Sequence, residues 1–211
     1  MLIGKRKFDI RAFCLIASVK PALVLRYEEF YLRRSCEVFS ASKLGDRGVH
    51  LTNVCVQKHD RRFGEDNIWS KAQLAALLSQ RGDGALLEGN IIPSMELAMR
   101  ACFESVSSHL STTNGCFQLL GFDYMLEHSG SVQLLEVNRN PDLEPHTRKL
   151  YTLITKLVDS TLGVVTEVNL QKARGEALWP VQCEHAFIPI VGGHSQQAEA
   201  AATATETSQS N

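Results

Sequence analysis

Two carboxylates and an amide within residues 121–138 have the chemistry of a metal site. Two apolar runs flank Ser129-Gly130, and this pattern predicts a β-hairpin with a tight two-residue loop. In that register Asp123 lies directly opposite Glu136, with the two Cβ atoms roughly 4.5–5.5 Å apart. Asn138 emerges on the same face as Glu136, because side chains alternate along a strand.

Such a face is poorly suited to a core, because facing carboxylates repel and unpaired buried charge is costly. Hard cations such as Mg²⁺ take oxygen ligands and commonly share them with phosphates. The hairpin therefore predicts a Mg²⁺ site. The alternative is a solvated hairpin face whose acids point at water, and spacing alone leaves both interpretations open.

A strand predicted at residues 7–16 carries a second set of charges. Period-two alternation places Lys7, Asp9 and Arg11 on one face and apolar side chains on the other. Arg33, on a later predicted strand, is expected to join the same polar surface. These charges suit an anionic ligand, and the alternative is a structural network of ion pairs.

The tetrapeptide His50-Leu-Thr-Asn53 follows a loop without periodicity. Its imidazole, hydroxyl and amide groups could hydrogen-bond a phosphate or a peptide. Alternatively, Thr52 or Asn53 closes a turn, which is a common role for both residue types.

The remaining patterns predict an α+β fold with a largely antiparallel sheet flanked by helices. Further strands are predicted at residues 22–25, 29–34 and 116–126. Helices are predicted at residues 69–80, 93–110 and 148–162.

The composition is that of a globular protein with a real core: 211 residues, 44% hydrophobic. No run of 18 apolar residues exists, so no membrane segment is expected. The six cysteines are scattered without a CxxC pair, which predicts reduced thiols and a cytoplasmic protein rather than a disulfide framework or a zinc site.

Charge is unevenly distributed along the chain. Residues 1–62 hold 13 Lys/Arg against 6 Asp/Glu, which leaves 9 against 17 in the remainder. A basic first third favours an anionic partner, although a solvated basic surface is the alternative. Nucleic acid is the least favoured partner, because no motif of interleaved aromatic residues accompanies the charge.

Four pieces in this order resemble the tubulin–tyrosine ligase-like family over roughly residues 3–165: Lys7-Phe-Asp-Ile-Arg11, His50-Leu-Thr-Asn53, Gly121-Phe-Asp123 and Leu135-Glu-Val-Asn138. The resemblance implies the C-terminal portion of an ATP-grasp fold. It also implies a ligase that uses ATP and Mg²⁺ to join a free amino acid to a protein carboxylate.

By the same resemblance, the magnesium ligands are Asp123, Glu136 and Asn138. The expected nucleotide and pocket residues are Lys7, Asp9, His50, Thr52 and Asn53. The expected catalytic residues, which face the substrate carboxylate or its phosphorylated form, are Arg11 and Arg33.

The implied acceptor is the acidic C-terminal tail of tubulin, which predicts a microtubule-associated, cytoskeletal protein. The segment Tyr31-Leu-Arg33 is nearer to the tyrosine ligase than to glutamylating members. Tyrosine is therefore the first expectation for the added amino acid, with glutamate and glycine as alternatives.

The chain departs from the family pattern in beginning just before the 7–11 strand, where the family has further lobes with phosphate-gripping lysines. We therefore expect residues 1–169 to be the C-terminal part of the catalytic domain, 170–193 an irregular extension and 194–211 a disordered tail. Turnover by this short chain alone is not expected. The alternative function is an inactive family member that binds tubulin or microtubules.

Overall fold

A computed structural model describes residues 1–193, which form one antiparallel sheet with helices on both faces. The strands are β1 Phe8–Ser18, β2 Leu23–Tyr27, β3 Tyr31–Arg34, β4 Ile68–Ser70, β5 Gln118–Leu126, β6 Val132–Asn138 and β7 Phe187–Val191. The α-helices are α1 Arg47–His50, α2 Val54–Gln57, α3 Lys71–Gln80, α4 Ile92–Val106 and α5 Arg148–Arg174. The predicted α+β class is confirmed.

Strand β1 is the centre of the sheet. One of its edges pairs with β5, which in turn pairs with β6. Its other edge is shared, because β3 pairs with its first half and β2 with its second half. Strands β4 and β7 extend the sheet beyond β3 and β2 respectively. The whole sheet therefore depends on the position of β1.

Two hydrophobic cores lie on opposite faces of β1. Ile10, Ala12 and Cys14 pack with α3 and α4, whereas Phe13 and Leu15 pack with α5. All eleven residues of β1 are buried, as expected for a strand covered by helices on both sides. Asp9 and Arg11 lie on the same face of β1 as Phe13 and Leu15. They are nearer the beginning of the strand, where polar side chains replace the apolar core on this face.

The hairpin between β5 and β6 has the predicted opposition of Asp123 and Glu136, but not the predicted loop. The loop has three residues, His128 to Gly130, and Gly130 has a φ of +86°, which suits glycine. The extra loop residue shifts the register by one. A bulge between Asp123 and Tyr124 shifts it back, so the two carboxylates still face each other.

Helix α5 is twelve residues longer than predicted, ending at Arg174 rather than at residue 162. It passes through Gly163, which lies against the Cys183 side chain, so that packing with a distant segment outweighs the low helix propensity of glycine. Residues 170–193 are not irregular throughout, because they include the end of α5 and strand β7, which pairs with β2. The predicted disorder of 194–211 lies outside the described residues.

Two other boundaries differ from the periodic pattern. The helix predicted at 69–80 is preceded by strand β4, and Ser70 caps α3 by accepting a hydrogen bond from the Gln73 backbone N–H. Helix α4 follows a π-helical turn, Leu87–Ile91, and gives way to a 3₁₀ turn, Ser107–His109. No helix within residues 1–193 is long and apolar enough to cross a membrane.

Helix α5 offers a matched pair for testing the core. Leu157 is fully buried against the sheet, whereas Leu162 on the same helix is 56% exposed. Leu157→Ala should lower the free energy of unfolding by about 2–5 kcal/mol, because it leaves a cavity. Leu162→Ala should change it by less than about 0.5 kcal/mol. Urea unfolding followed by circular dichroism measures both, and equal losses would contradict this packing.

Candidate functional site

A cleft of about 490 Å³ opens between the β5–β6 hairpin, the start of β1 and the 39–53 segment. Its volume is within the range of small-molecule sites, roughly 300–1,000 Å³. The cleft brings together seven of the residues predicted from sequence: Lys7, Asp9, His50, Thr52, Asn53, Asp123 and Glu136.

The acidic corner of the cleft is formed by the hairpin. Asp123 and Glu136 are directly opposed across the β5–β6 ladder, and Asn138 lies two residues further along β6. The Asn138 Nδ2 donates to Glu136 Oε1 at 3.1 Å and approaches Asp123 Oδ2 at 3.5 Å. All three predicted metal ligands are therefore neighbours.

Asp123 also belongs to a buried ion-pair network with Arg11, Arg33 and Asp9. Arg11 grips Asp123 with two N–H groups, its Nη2 lying 2.9 Å from Oδ2 and its Nε donating to Oδ1. Arg33 grips Asp9 through Nε at 2.8 Å and Nη2 at 2.5 Å. The same Nη2 of Arg33 lies 2.8 Å from Asp123 Oδ2 and joins the two pairs.

The network follows from the register of the sheet. Asp9 is opposite Arg33 on β3, and Arg11 is opposite Asp123 on β5. Opposite charges therefore meet across each of these two ladders. All four residues are buried, with no more than 5% of their surface exposed. The structural network of ion pairs, which was the alternative to an anionic ligand for these charges, is therefore present. Lys7 is not part of it.

These contacts set the protonation of the network. Burial would raise the pKa of Asp123, but the hydrogen bond from Arg11 and the charges of Arg33 and Arg11 hold that pKa below its ordinary value. Burial would likewise lower the pKa of Arg33, but Asp9 and Asp123 raise it above its ordinary value. Asp123 and Arg33 therefore remain charged at neutral pH.

Arg11 and Arg33 lie behind the cleft rather than along its wall. Both guanidinium groups are committed to carboxylates, and neither residue lines the cavity. The predicted contact of these arginines with substrate stays a prediction, and it would require at least one guanidinium to leave a carboxylate. The structure instead supports a role in holding Asp123 and Asp9 in place.

Gly121 allows this arrangement to be compact. It lies opposite Asn138, and a Cβ atom at this position would come within 2.8 Å of Pro141 Cβ and 3.4 Å of Arg11 Cδ. A side chain at residue 121 would displace either the loop after β6 or the arginine that grips Asp123.

The opposite wall of the cleft is formed by Lys7, Phe39 and His50. Lys7 Nζ lies 5.7 Å from the centre of the Phe39 ring, against which the His50 ring packs edge-on. His50 Nε2 also lies 3.0 Å from the Lys43 carbonyl oxygen. Asn53 precedes α2 without a side-chain capping bond, so its amide is available to the cleft.

The donor chemistry of the acidic corner fits Mg²⁺, which prefers oxygen ligands. Glu136 is exposed and is the carboxylate most open to an ion. Asp123 is different, because its oxygens already accept two hydrogen bonds from Arg11 and form an ion pair with Arg33. Asn138 turns its Nδ2 toward the carboxylates, so its oxygen becomes a ligand only with the amide turned over.

A second group of potential metal ligands lies on the loop after β6. Asp142, Glu144 and His146 each offer a ligand atom within 4.8 Å of the others. His146 Nε2 is 3.5 Å from a carboxylate oxygen of each acid, and both acids are largely exposed. Sequence analysis did not single out this group, which lies on the surface outside the cleft.

Sequence analysis also missed the apolar lining of the cleft, which includes Phe39, Leu51, Met125 and Leu135. Met125 and Leu135 are on the hairpin. Met125 lies two residues after Asp123, and Leu135 is the unpaired residue of the bulge. Phe39 stands alone before a polar loop, and an isolated aromatic residue there is the only local signal. Such a mixed wall suits a ligand with both an aromatic and a charged part.

The fold and the site define an α+β domain with a polar cleft at one end of an antiparallel sheet. Consistent with this, a sequence model of the tubulin-tyrosine ligase family matches residues 1–174. The chain belongs to this family. Its sheet with flanking helices is consistent with the ATP-grasp-like domain that the motifs imply.

Relatives with assigned names include ligases for different amino acids. The chain is 30% identical over 186 residues to protein monoglycylase TTLL8 of Homo sapiens, covering 85% of this chain and 22% of that protein. It is 31% identical over 166 residues to probable tubulin polyglutamylase TTLL9 of Mus musculus, covering 78% and 36%. It is 28% identical over 204 residues to inactive polyglycylase TTLL10 of Homo sapiens, covering 92% and 30%. The chain thus matches between 22% and 36% of the length of these relatives.

The network predicts that Asp123 is needed for stability. Asp123→Asn leaves Arg11 and Arg33 buried with a single carboxylate between them, and should lower the free energy of unfolding by about 3–5 kcal/mol. Asp159→Asn, an exposed acid on α5, is the control and should cost less than about 0.5 kcal/mol. Urea titration at pH 7 compares them, and a loss below about 1 kcal/mol in Asp123→Asn would refute the network.

The same residue predicts an acid dependence of stability. The folded pKa of Asp123 is lowered, so its contribution is present above the unfolded pKa, about 3.9, and is lost as pH falls through the folded pKa. Between these values the unfolded chain binds the extra proton. The unfolding free energy should therefore fall with acidification below about pH 4. This slope should be shallower in Asp123→Asn, and an unchanged slope would contradict the assignment.

Proposed function

We propose that this chain is the catalytic part of a ligase that uses ATP and Mg²⁺ to add an amino acid to a carboxylate in a tubulin tail. The observation that carries the proposal is the cleft, which gathers seven predicted nucleotide and metal residues from three separated stretches of sequence. Membership of the tubulin-tyrosine ligase family supports the reaction class.

The two walls of the cleft suit different parts of the nucleotide. Asp123, Glu136 and Asn138 would hold Mg²⁺, which when bound neutralises charge on the phosphates. Lys7 lines the cleft and makes no ion pair within residues 1–193, so its ammonium is free for a phosphate. His50, Thr52 and Asn53 contribute hydrogen-bonding groups from the facing segment.

The reaction needs activation, because a carboxylate is a poor electrophile. Phosphorylation by ATP would convert the tail carboxylate into an acyl phosphate, which the amine of the incoming amino acid then attacks with release of phosphate. Catalysis of phosphoryl transfer depends mainly on positioning and charge neutralisation. A planar guanidinium can hold a carboxylate or phosphate at two points. Arg11 or Arg33 would do so here only after its guanidinium leaves the carboxylate that it now binds.

The identity of the amino acid is the finer part of the proposal. The named relatives include glycylases and a probable polyglutamylase, which favours glycine or glutamate over tyrosine. Tubulin is the proposed acceptor because named relatives include tubulin ligases, and a basic first third would attract an acidic tail by electrostatic steering. Such a ligase would act on the cytoskeleton.

The test is incorporation of labelled glycine, glutamate and tyrosine into tubulin, with and without ATP and Mg²⁺. It is run on the protein as the cell makes it and on the 211-residue chain. Glu136→Gln should reduce incorporation at least about a hundredfold, because it removes a charged metal ligand. Glu104→Gln, an exposed acid on α4, is the control and should retain full activity.

A second readout separates the metal site from the reaction. Binding of Mn²⁺ in place of Mg²⁺, followed by electron paramagnetic resonance, should weaken about 10–100-fold in Glu136→Gln and not in Glu104→Gln. Unchanged Mn²⁺ binding in Glu136→Gln would remove this residue from the site. Failure of the wild-type protein to incorporate any of the three amino acids would refute the ligase.

The second candidate function is a binding protein without chemistry. It is favoured by the saturation of Asp123 with two guanidinium groups, which competes with a metal, and by the similarity to a relative named as inactive. In this case the chain would sediment with microtubules in the absence of nucleotide and would not bind Mn²⁺ or ATP. Loss of sedimentation after removal of the acidic tubulin tails would identify the docking site.

A further inference from the structure

A second cavity, of about 370 Å³, lies on the side of β6 opposite to the cleft. Side chains alternate along β6, so that Glu136 lines the cleft while Val137 lines this cavity. Arg139, the first residue after β6, lines this cavity as well. Helix α4 and the strands β1 and β5 form its other walls. The predicted metal corner and the second cavity therefore share one strand.

The interior of the second cavity is apolar. Cys14, Ile16, Met99 and Phe103 line it, and each is no more than 6% exposed. Burial raises the pKa of the Cys14 thiol to about 12, so this wall carries no charge at neutral pH. An apolar chain bound in this open pocket would remove both its own surface and the apolar lining from water.

The mouth of the cavity is formed by two partly exposed valines and one arginine. Val106 and Val137 there are 43% and 38% exposed, and no acidic residue lines the cavity within residues 1–193. The exposed Arg139 is the charged residue of the lining, and it makes no ion pair with any residue that the structure describes. Gln118 Nε2 donates to the Arg139 carbonyl oxygen at 2.5 Å and holds this residue at the rim.

We propose that this cavity binds an unbranched aliphatic carboxylate, with its chain among the core residues and its carboxylate on Arg139. The volume is at the lower end of the range for small-molecule sites, about 300–1,000 Å³. Burial of the chain supplies the hydrophobic contribution, and a guanidinium is suited to two-point binding of a carboxylate. This site does not depend on the proposed ligase activity.

The charge at the mouth selects among amphiphiles. A carboxylate gains a charge-assisted hydrogen bond with Arg139, an alcohol of the same length gains only a neutral one, and an amine is repelled. Decanoate, decanol and decylamine therefore form a series with one chain and three head groups. Octanoate adds a test of chain burial, because each methylene group that enters the cavity should tighten binding about fourfold.

The experiment is isothermal titration of the full 211-residue chain with these four compounds below their micelle concentrations. Decanoate should bind about tenfold or more tighter than decanol and than octanoate, and decylamine should not bind measurably. Arg139→Gln should weaken decanoate about tenfold and leave decanol unchanged. Arg61→Gln, an exposed arginine outside the cavity, is the control and should leave both unchanged.

A second pair of variants tests where the chain lies. Val106→Trp places a large side chain at the mouth and should abolish decanoate binding, whereas Leu97→Trp, on the same helix but outside the cavity, should not. Circular dichroism is the control that checks that both variants fold. The proposal is overturned if decanoate does not bind at millimolar concentration, if decanol binds equally well, or if Val106→Trp binds like wild type.

Discussion

The site depends on the alternation of charge across four strands of the sheet. Arg33 faces Asp9, Arg11 faces Asp123, and Asp123 faces Glu136. The last of these pairs is repulsive by itself, since like charges directly opposite destabilise a sheet. It is tolerated because two guanidinium groups bind Asp123 from the other side, so that Glu136 faces a carboxylate whose charge is already compensated. A slip of one residue in any ladder would turn these side chains to the wrong face.

Stability alone does not account for such a network. Buried ion pairs often contribute no more than well-packed apolar side chains would, because desolvation offsets the attraction between the charges. What the network does supply is a carboxylate at a fixed position, ionised at neutral pH and at the edge of a cleft. Glu136, outside the network and exposed, is the more accessible of the two carboxylates. This division would suit the metal and nucleotide binding that we propose for the cleft.

Local patterns in the sequence were sufficient to predict the acidic corner. Asp123 and Glu136 lie on two strands joined by a short loop, so alternation and register placed them together even though the loop length was wrong. The partners of Asp123 could not be found in this way, because Arg11 lies 112 residues away and only the pairing of β1 with β5 brings it close. The same limit applies to α5, whose passage through Gly163 depends on packing against Cys183, and to the cleft wall at Phe39, which comes from an aperiodic loop.

Strand β6 is the least restrained part of this arrangement. Among the strands within residues 1–193 it pairs with β5 alone, and most of its residues are exposed. Its two faces line different cavities, because Glu136 and Asn138 belong to the acidic corner while Val137 lines the apolar cavity, together with Arg139 just after the strand. Both faces belong to one seven-residue strand, so that a displacement of β6 would move both. Contacts made by Val137 and Arg139 therefore bear directly on where Glu136 and Asn138 lie relative to Asp123, which the arginines hold fixed on β5.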